Sequence, residues 1–523
     1  MDKLNILNFD EHILERIFSY VRKRQNIALT CRLFYDLVCK VEKFAHKLVI
    51  QPWTLKESFI SMNNSLRQFN ELDLIAFSLP SLSQQEKKML GKLVKTVTKA
   101  RISRVEANQV LHLEVLSLMP QLEILDLNFS DVITNHEIKQ ETLTLKSLRV
   151  LKIKSETGIP YEVINQLPSG VLHNLSLDIK DYNKDLTEFW KLQPNIKSLI
   201  TNFVKLSQLK NLKLENFSCS ASESDCEDLV EFLQSQSNLK SFEFLSWMQT
   251  SRVVSILNVA RMFYDLQSVS ICVEEVTIEI MNLLARLENL NALKLEMAFD
   301  DDISLDILTF VTFPRVQCLN LIIKTLTIQS HHLVDLKHAF PVLKSLRVKI
   351  FSVCNLCEVL DNLDGLEKFS VDFWYHDEDK LYDFFKPTLN CKIYSEIREL
   401  QFEIYKPNLD SRCLSSVVNY NAMPNLQSLA VKGSCRMLFD EQFLKFINNL
   451  PSIENLDVEK LRIPGNFNIS QQAFKAFQKL SQMKFVKLKI ECPRSEIIKM
   501  KNFLDKNFDE LSYSKSVYFV IRK

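Results

Sequence analysis

Two cysteines have the spacing of one half of a zinc site. Cys354 and Cys357 are separated by two residues, which lets two thiolates reach one metal ion. A structural zinc site needs four ligands, and the sequence has no second pair at zinc spacing. Cysteine is also a small residue that is often buried in protein cores. We therefore expect both cysteines to be buried groups of a helix.

Histidines and aspartates form two further clusters of metal-binding residue types. His331, His332 and His338 occur without a nearby acidic residue in a recognisable ligand motif. Asp300–Asp302 has the charge of a calcium loop but lacks its alternating oxygen ligands and its glycine. We expect this acidic run to cap the helix that follows Phe299. The sequence therefore predicts no metal ion and no cofactor.

The motifs of the common enzyme classes are also missing from the sequence. Only 6 glycines occur among 523 residues, far below the average of about 7%. Phosphate-binding loops need glycine for close backbone approach, and nothing matches a Walker loop or a dinucleotide fingerprint. No Gly-x-Ser-x-Gly motif or Ser/His/Asp arrangement is recognisable. These observations predict a protein that is not an enzyme.

Charge and cysteine usage limit the compartment and the partners. The net charge is +1, from 65 basic and 64 acidic residues, which argues against a nucleic-acid partner. The 12 cysteines have no framework spacing, the N-terminus lacks the apolar core of a signal peptide, and no run of 18 apolar residues occurs. We expect a cytoplasmic or nuclear protein with reduced thiols, no membrane contact and a protein partner.

A recurring apolar spacing organises most of the chain. In Met119–Phe129, Leu122 is followed by Leu125 after two free positions and by Leu127 after one more. The same spacing returns at a mean interval of about 28 residues, which is near the upper limit of repeat length in one class of repeat proteins. The copies begin at Leu122, Leu148, Leu172, Leu209, Leu239, Leu266, Leu290, Val316, Leu343, Leu366, Ile397, Leu426, Ile453 and Met483.

This pattern resembles a leucine-rich repeat. Side chains alternate between the two faces of a strand, so Leu125 and Leu127 face one way and Asp126 faces the other. The resemblance implies an α/β fold, a leucine-rich-repeat horseshoe with a curved parallel sheet inside and helices outside. The predicted array spans residues 47–523 with about 14–16 repeats. The family usually has Asn or Cys three positions after the last apolar strand residue, where this chain has Ser130.

Further elements are expected around the regular repeats. A strand at Leu48–Ile50 would start the array directly after the N-terminal segment, and Ser83–Glu86 is a capping box that opens a helix. Ser218–Asp228 is polar and acidic, which predicts a solvated loop; phosphorylation is the alternative. A helix at Ser495–Phe508 and a strand at Val517–Ile521 follow the last repeats. Weaker repeats are expected at Phe69/Leu72/Leu74, Ile102/Val105/Ala107 and Ile196/Leu199/Thr201.

Residues 5–46 form a separate helical module in the sequence pattern. Ile13–Val21 has apolar residues at helical spacing, and a second helix contains Thr30–Phe34. The order of residues resembles an F-box, because Ile13–Val21 matches its central segment closely. Thr30–Phe34 stands where the family has Val-Cys-x-x-Trp. The departures are a missing proline at Phe9-Asp10, Thr for Val, Phe for Trp and a shorter link between the helices.

The resemblance implies docking to the Skp-family adaptor of a cullin–RING ubiquitin ligase, with the chain as its substrate receptor in the ubiquitin conjugation pathway. The residues that match the adaptor-binding or core positions of the module are Phe9, Ile13, Leu14, Ile17, Phe18, Val21, Leu29, Cys31 and Phe34. The alternative is a non-ubiquitin leucine-rich-repeat scaffold in which these helices only cap the array. Arg22–Arg24 is either a solvated turn or a nuclear-import signal.

The free strand positions are the predicted target-binding surface. Their charges are mixed in sign, which suits a protein partner and disfavours a polyanion. Trp374 follows a strand and is either an interface anchor or a residue packed beneath its loop. The other candidates are Lys152, Lys154, Arg347, Lys349, Asp372, Glu403, Lys487 and Lys489.

Overall fold

The computed structural model describes most of the chain between residues 47 and 521, and the chain has two compact units. The units are Met1–Leu239 and Lys240–Lys523. The F-box-like module at residues 5–46 lies outside the described residues. The described residues are 47–50, 69–75, 83–105, 114–129, 145–155, 164, 167–179, 186–202, 206–220, 226–260, 262–297, 310–323, 330–350, 356–373, 393–405, 408–409, 423–433, 436–438, 441–450, 453–462, 471–492, 494–507 and 516–521.

The first unit contains a parallel sheet in which each strand pairs with the next one along the chain. Its strands are β1 (Lys47–Ile50), β2 (Glu71–Ile75), β3 (Lys99–Val105), β4 (Ile124–Phe129), β5 (Val150–Ser155), β6 (Asn174–Ile179), β7 (Ser198–Thr201) and β8 (Asn216–Cys219). Its helices are α1 (Gln84–Val94), α2 (Glu114–Ser117), α3 (Thr187–Leu192) and α4 (Cys226–Gln234), with a 3-10 helix at Leu206–Leu209.

The second unit repeats this arrangement, with one addition. Its strands are β9 (Ser241–Phe244), β10 (Ser268–Val273), β11 (Ala292–Met297), β12 (Cys318–Ile323), β13 (Ser345–Ile350), β14 (Lys368–Phe373), β15 (Glu399–Ile404), β16 (Asn408–Leu409), β17 (Ser428–Gly433), β18 (Arg436–Leu438), β19 (Asn455–Arg462), β20 (Phe485–Cys492) and β21 (Ser516–Ile521). Its helices are α5 (Thr250–Ala260), α6 (Ile278–Ala285), α7 (Ser330–Ala339), α8 (Leu356–Asn362), α9 (Glu441–Asn449), α10 (Gln471–Gln482) and α11 (Arg494–Asn507). The main ladder is parallel and consecutive, while β15 pairs directly with β17 and β16 pairs with β18.

The alternation of side chains explains why these segments form strands in a layered fold. In β5, Leu151 and Ile153 are buried, whereas Lys152 between them is exposed. The helices supply the other apolar layer, as in α10, where Phe477 and Leu480 are buried. A single repeat has too little apolar surface to form a core, so stacking of neighbours provides the stability. The α/β leucine-rich-repeat prediction is confirmed for the described part of both units.

Most predicted elements are present, but two repeat frames were wrong by five residues. The strand predicted at Leu212 and Leu214 begins later, at Asn216, because Leu199 pairs with Phe217 and not with Leu212. Leu209 ends the 3-10 helix instead. Both frames satisfy the apolar spacing in this stretch, so only the pairing with β7 decides between them.

The same ambiguity affects the weak repeat that begins at Ile102. Ala100 and Ile102 are the buried strand residues of β3, and they pair with Leu72 and Leu74. Val97 is the first apolar residue of the repeat, not Ile102. The frame moves because register with the preceding strand overrides the local pattern.

The predicted loop at Ser218–Asp228 was also wrong at both of its ends. Ser218 and Cys219 belong to β8, and Cys226 begins α4. Glu227 and Asp228 lie in the first turn of that helix, where negative charge is favourable. The acidic composition therefore reflects a helix start and not only a solvated loop.

Among the described residues, no helix combines the length and apolar character needed to cross a membrane.

Side-chain amides connect the turns of successive repeats in both units. Gln193 is fully buried; its Oε1 accepts from Leu172 N (3.2 Å) and its Nε2 donates to Pro168 O (2.7 Å). Exposed asparagines do the same at the surface: Asn289 Nδ2 donates to Tyr264 O (2.6 Å). Amides that precede the strands therefore make the bonds between turns in this chain, which departs from the family pattern at Ser130.

Candidate protein-interaction face

One face of each sheet carries the residues that alternate with the buried strand positions, and we call it the open face. Because the ladders are parallel and in register, these residues form rows that run across neighbouring strands. In the second unit, one row contains Lys294, Asn320 and Arg347 in succession. The row beside it contains Lys349, Asp372 and Glu403. Residues far apart in the sequence thereby become neighbours.

The open face of the first unit carries simple ion pairs. Lys154 Nζ lies 2.9 Å from Asp178 Oδ2, and Asn202 Nδ2 donates to the other oxygen of Asp178 at 2.7 Å. Arg101 and Asp126 approach at 3.8 Å. Lys152 is exposed and makes no ion pair among the described residues. In both pairs the partners lie on neighbouring strands.

Glu243 and Glu296 hold Lys294 on the open face of the second unit. Lys294 Nζ lies 3.4 Å from Glu243 Oε1 and 3.9 Å from Glu296 Oε2. Ser270 Oγ also donates to Glu243, at 3.2 Å. Beside them, burial first and then the Glu296 carboxylate raise the pKa of the Cys272 thiol to about 12. This thiol is therefore protonated at neutral pH and is a poor nucleophile.

Arg347 is the centre of a second cluster. Its Nε and Nη2 donate to Asp372 Oδ2 at 3.2 and 2.8 Å, and Nη2 also donates to Glu403 Oε2 at 3.3 Å. Since Asp372 is on β14 and Glu403 on β15, the arginine side chain extends from β13 across β14. The Tyr405 hydroxyl donates to Glu403 and holds that carboxylate in turn. We call these four residues the Arg347 cluster.

Asp372 is the most buried charge of the Arg347 cluster. The residue is 8% exposed, and its Oδ1 has no hydrogen-bond partner. Desolvation raises the pKa of Asp372, and this effect outweighs the opposing contribution of Arg347. The hydrogen bond to Glu403 raises the pKa of Tyr405 to about 12. A buried carboxylate with one unpaired oxygen costs stability, which is typical of residues retained for recognition.

A third cluster joins β17, β19 and β20. Lys487 Nζ lies 3.3 Å from Glu459 and 3.7 Å from Asp457, and Lys432 lies 3.9 Å from Asp457. Burial lowers the pKa of Lys487, but the two carboxylates outweigh burial and the net direction is upward. In each of the three clusters, one lysine or arginine lies close to two carboxylates. A partner must match this fixed pattern, which favours specificity.

Comparison with known proteins gives similarity at the level of structure alone. No known family model matches the sequence, and no curated protein matches it. The crystal structure of a TLR13–ssRNA13 complex matches at a TM-score of 0.36 and 13% identity, covering 87% of this chain and 84% of that one. The Toll–Spatzle complex of Drosophila matches at 0.35 and 10%, covering 87% of this chain and 61% of that one. These values are too low to support any inference, and the fold assignment rests on the strand register.

The structure brings some of the predicted target-binding residues together and separates others. Arg347, Asp372 and Glu403 share one cluster, with Lys349 in register with Asp372. The other candidates lie elsewhere: Lys152 and Lys154 on β5, and Lys487 and Lys489 on β20, with the side chain of Lys489 outside the described residues. Trp374 and the adaptor-binding candidates at positions 9–34 also lie outside the described residues.

Sequence reasoning missed several residues of these clusters. Lys294 and Asn320 occupy strand positions that the period-two pattern assigns to the open face, so the signal for them was present. Tyr405 follows the last residue of β15, and no pattern marks it.

Among the metal-binding candidates, Cys357 lies in α8 and His331, His332 and His338 lie in α7, while Cys354 is outside the described residues. Over the described residues, no group of three or more His, Cys, Asp or Glu could hold a metal ion.

Proposed function

We propose that this chain is the substrate-recognition subunit of a Skp–cullin–F-box ubiquitin ligase. Residues 5–46 would dock the Skp-family adaptor, and the open face of the repeats would bind a target protein. The observation that supports this proposal is the close match of Ile13–Val21 to the F-box, followed at once by a leucine-rich-repeat array. β1 begins at Lys47, and its Leu48 and Ile50 are 2% and 1% exposed.

The chain would act by proximity and not by chemistry of its own. Holding a target lysine close to a charged ubiquitin-conjugating enzyme raises its effective concentration, and such orientation contributes several kcal/mol, about 7–11 in the best intramolecular cases. The connection between module and array matters for this role. A strand that starts directly after the module limits the reach between adaptor and target, whereas a flexible linker would widen it.

The second candidate is a leucine-rich-repeat scaffold without a ubiquitin role. The departures from the F-box pattern favour it, since Phe34 replaces a tryptophan and the initial proline is missing. In that case the N-terminal helices cover the apolar end of the first repeat. The open face would bind a partner in either case, so the adaptor decides between the two functions.

Co-purification of the full chain with a Skp-family adaptor tests the proposal. We expect the double variant Ile17→Ala/Phe18→Ala to lose the adaptor, because these residues would fill its apolar groove. Circular dichroism of the variant checks that the chain remains folded. Arg347→Ala, on the open face, is the matched control and should retain the adaptor. Adaptor binding that survives deletion of residues 1–46 would contradict the proposal.

A further inference from the structure

Strand β12 lies between two charged strands without carrying a charge on the open face. Its open-face residues are Cys318, Asn320 and Ile322, and we call them the β12 strip. Asn320 pairs in register with Lys294 of β11 on one side and Arg347 of β13 on the other. Cys318 is exposed, and Asn320 and Ile322 are half-buried.

Both flanking cations direct their side chains away from this strip. Lys294 reaches over β10 to Glu243 on β9, at 3.4 Å. Arg347 reaches over β14 to Glu403 on β15, at 3.3 Å. The two side chains extend in opposite directions, so the charged group of neither one lies over β12. The strip is therefore an uncharged surface between two ion-pair clusters.

Small residues keep one end of the strip accessible. Cys318 pairs in register with Ala292 and Ser345, neither of which has a long side chain. At the other end, Ile322 lies between Glu296 and Lys349. The strip thus offers a thiol, a carboxamide and an apolar group at successive open-face positions, each about 6.6 Å from the next.

The Asn320 carboxamide is the polar group of the strip that remains unused. Its Oδ1 is buried and has no hydrogen-bond partner. A buried acceptor without a partner costs stability, so a native example requires an explanation. An asparagine carboxamide has one acceptor and two donor hydrogens, which matches the N–H and C=O of a peptide unit.

We infer that the β12 strip binds an extended, uncharged segment of the target protein, and that the Asn320 side chain turns outward on binding so that its carboxamide bonds to the main chain of that segment. This inference rests on the proposed target-binding role of the open face. Alternate residues of an extended chain have the same spacing as Cys318, Asn320 and Ile322, so a segment that runs along β12 contacts all three. A charged side chain finds no counter-charge on Cys318, Asn320 or Ile322, and each flanking cation is already shared by two carboxylates.

Selection from a phage-displayed library of random peptides tests the inference on the purified full chain. We expect the recovered peptides to be uncharged over the residues that contact the strip. Asn320→Ala should weaken their binding about tenfold, the loss of neutral hydrogen bonds to a main chain. Asn455→Ala is the matched control, since it makes the same change on the open face of β19, five strands along the ladder, and it should leave binding unchanged.

Cys318 reports directly on occupation of the strip. A saturating selected peptide should slow alkylation of Cys318 several-fold, measured by mass spectrometry, while Cys226 in α4 keeps its rate. Peptides that carry charges at the strip, that ignore Asn320→Ala, or that leave Cys318 fully reactive would overturn the inference, and so would a selection that enriches nothing. Adaptor co-purification is scored separately: retained adaptor with an unoccupied strip rejects only the inference, and an occupied strip without adaptor rejects only the ligase role.

Discussion

The open faces of the two units differ in how their charges are paired. In the first unit, Lys154 pairs with Asp178 on the next strand, and their side chains are 60% and 51% exposed. In the second unit, Arg347 is shared by two carboxylates on successive strands, and the side chain of Asp372 is only 11% exposed. Exposed pairs contribute about 0–1 kcal/mol and leave their side chains mobile. The shared, half-buried clusters hold their side chains in fixed positions, which makes the second unit better suited to specific recognition.

The turns of the two units show the opposite contrast. Gln193 of the first unit is fully buried and makes two hydrogen bonds to an earlier turn, whereas Asn289 of the second unit is exposed. The buried turn amide is thus in the first unit, whereas buried carboxylates occur in both units, as Asp73 on β2 and Asp372 on β14, each 8% exposed. Hydrogen exchange followed by mass spectrometry measures the opening of each unit separately.

The largest expected effect concerns the buried turn amide. Gln193→Ala leaves Leu172 N–H and Pro168 C=O without their partner and opens a cavity, so it should lower the free energy of unfolding by about 2–3 kcal/mol. Exchange should rise in peptides of the first unit. Asn289→Ala should cost about 0.5 kcal/mol or less, because water replaces an exposed partner. Equal losses in the two variants would remove the contrast between the turns.

The next effect separates the two kinds of ion pair. Arg347→Ala leaves two carboxylates without their shared cation and should cost about 1–2 kcal/mol, less than a fully buried pair because the arginine is 43% exposed on its side chain. Lys154→Ala should cost about 0.5 kcal/mol or less. Denaturant unfolding of both variants measures the difference. A Lys154→Ala loss as large as that of Arg347→Ala would show that the pairs are equivalent.

Asp372 gives a smaller effect with a defined pH dependence. Its pKa is raised in the folded state, so folding favours the protonated form. The stability that this group contributes is complete below its unfolded pKa and is lost as the pH rises through the folded value. Asp372→Asn should therefore unfold at the same or higher denaturant concentration than the unaltered chain at pH 7, by up to about 1 kcal/mol. The gain should shrink towards pH 4; a variant that is instead most destabilised at pH 7 would contradict burial as the dominant cause.

The smallest effect sharpens the description of the Arg347 cluster. Tyr405→Phe removes one half-exposed hydrogen bond to Glu403 and should cost about 0.5 kcal/mol. Ultraviolet titration of the tyrosines should lose a component near pH 12, the value to which Glu403 raises this phenol. The folded-state pKa is raised, so the contribution to stability is present below pH 10 and disappears towards pH 12. An unchanged titration curve would show that Tyr405 is not bonded to Glu403.

Much of the fold could be predicted because the repeat pattern is strong wherever one frame fits it. Leu293 and Leu295 have no competing frame, and β11 lies where the pattern places it. Leu214 belongs to two overlapping frames, one that begins at Leu209 and one that continues to Phe217, and local sequence could not choose between them. The predictions that failed are those of strands whose position is set by pairing with a neighbouring strand and not by the hydrophobic pattern.

The open face could be predicted only as a set of positions. The period of two assigned Arg347, Asp372 and Glu403 to one face, but their contact depends on which strands are adjacent and in what register. Asn320 was missed because an uncharged residue is conspicuous only when its neighbours are known.

The sequence by itself determined the repeating unit, the layer each leucine occupies and the side of the strand on which each charge stands, because these follow from spacing along one chain. The tertiary structure decided which residues become partners. It places Arg347 across β14, where it reaches two carboxylates, and it places the uncharged β12 between the strands of Lys294 and Arg347. Parallel strands place residues 24 to 56 positions apart next to one another, and distances of that kind are set by stacking and register, which a single strand does not encode.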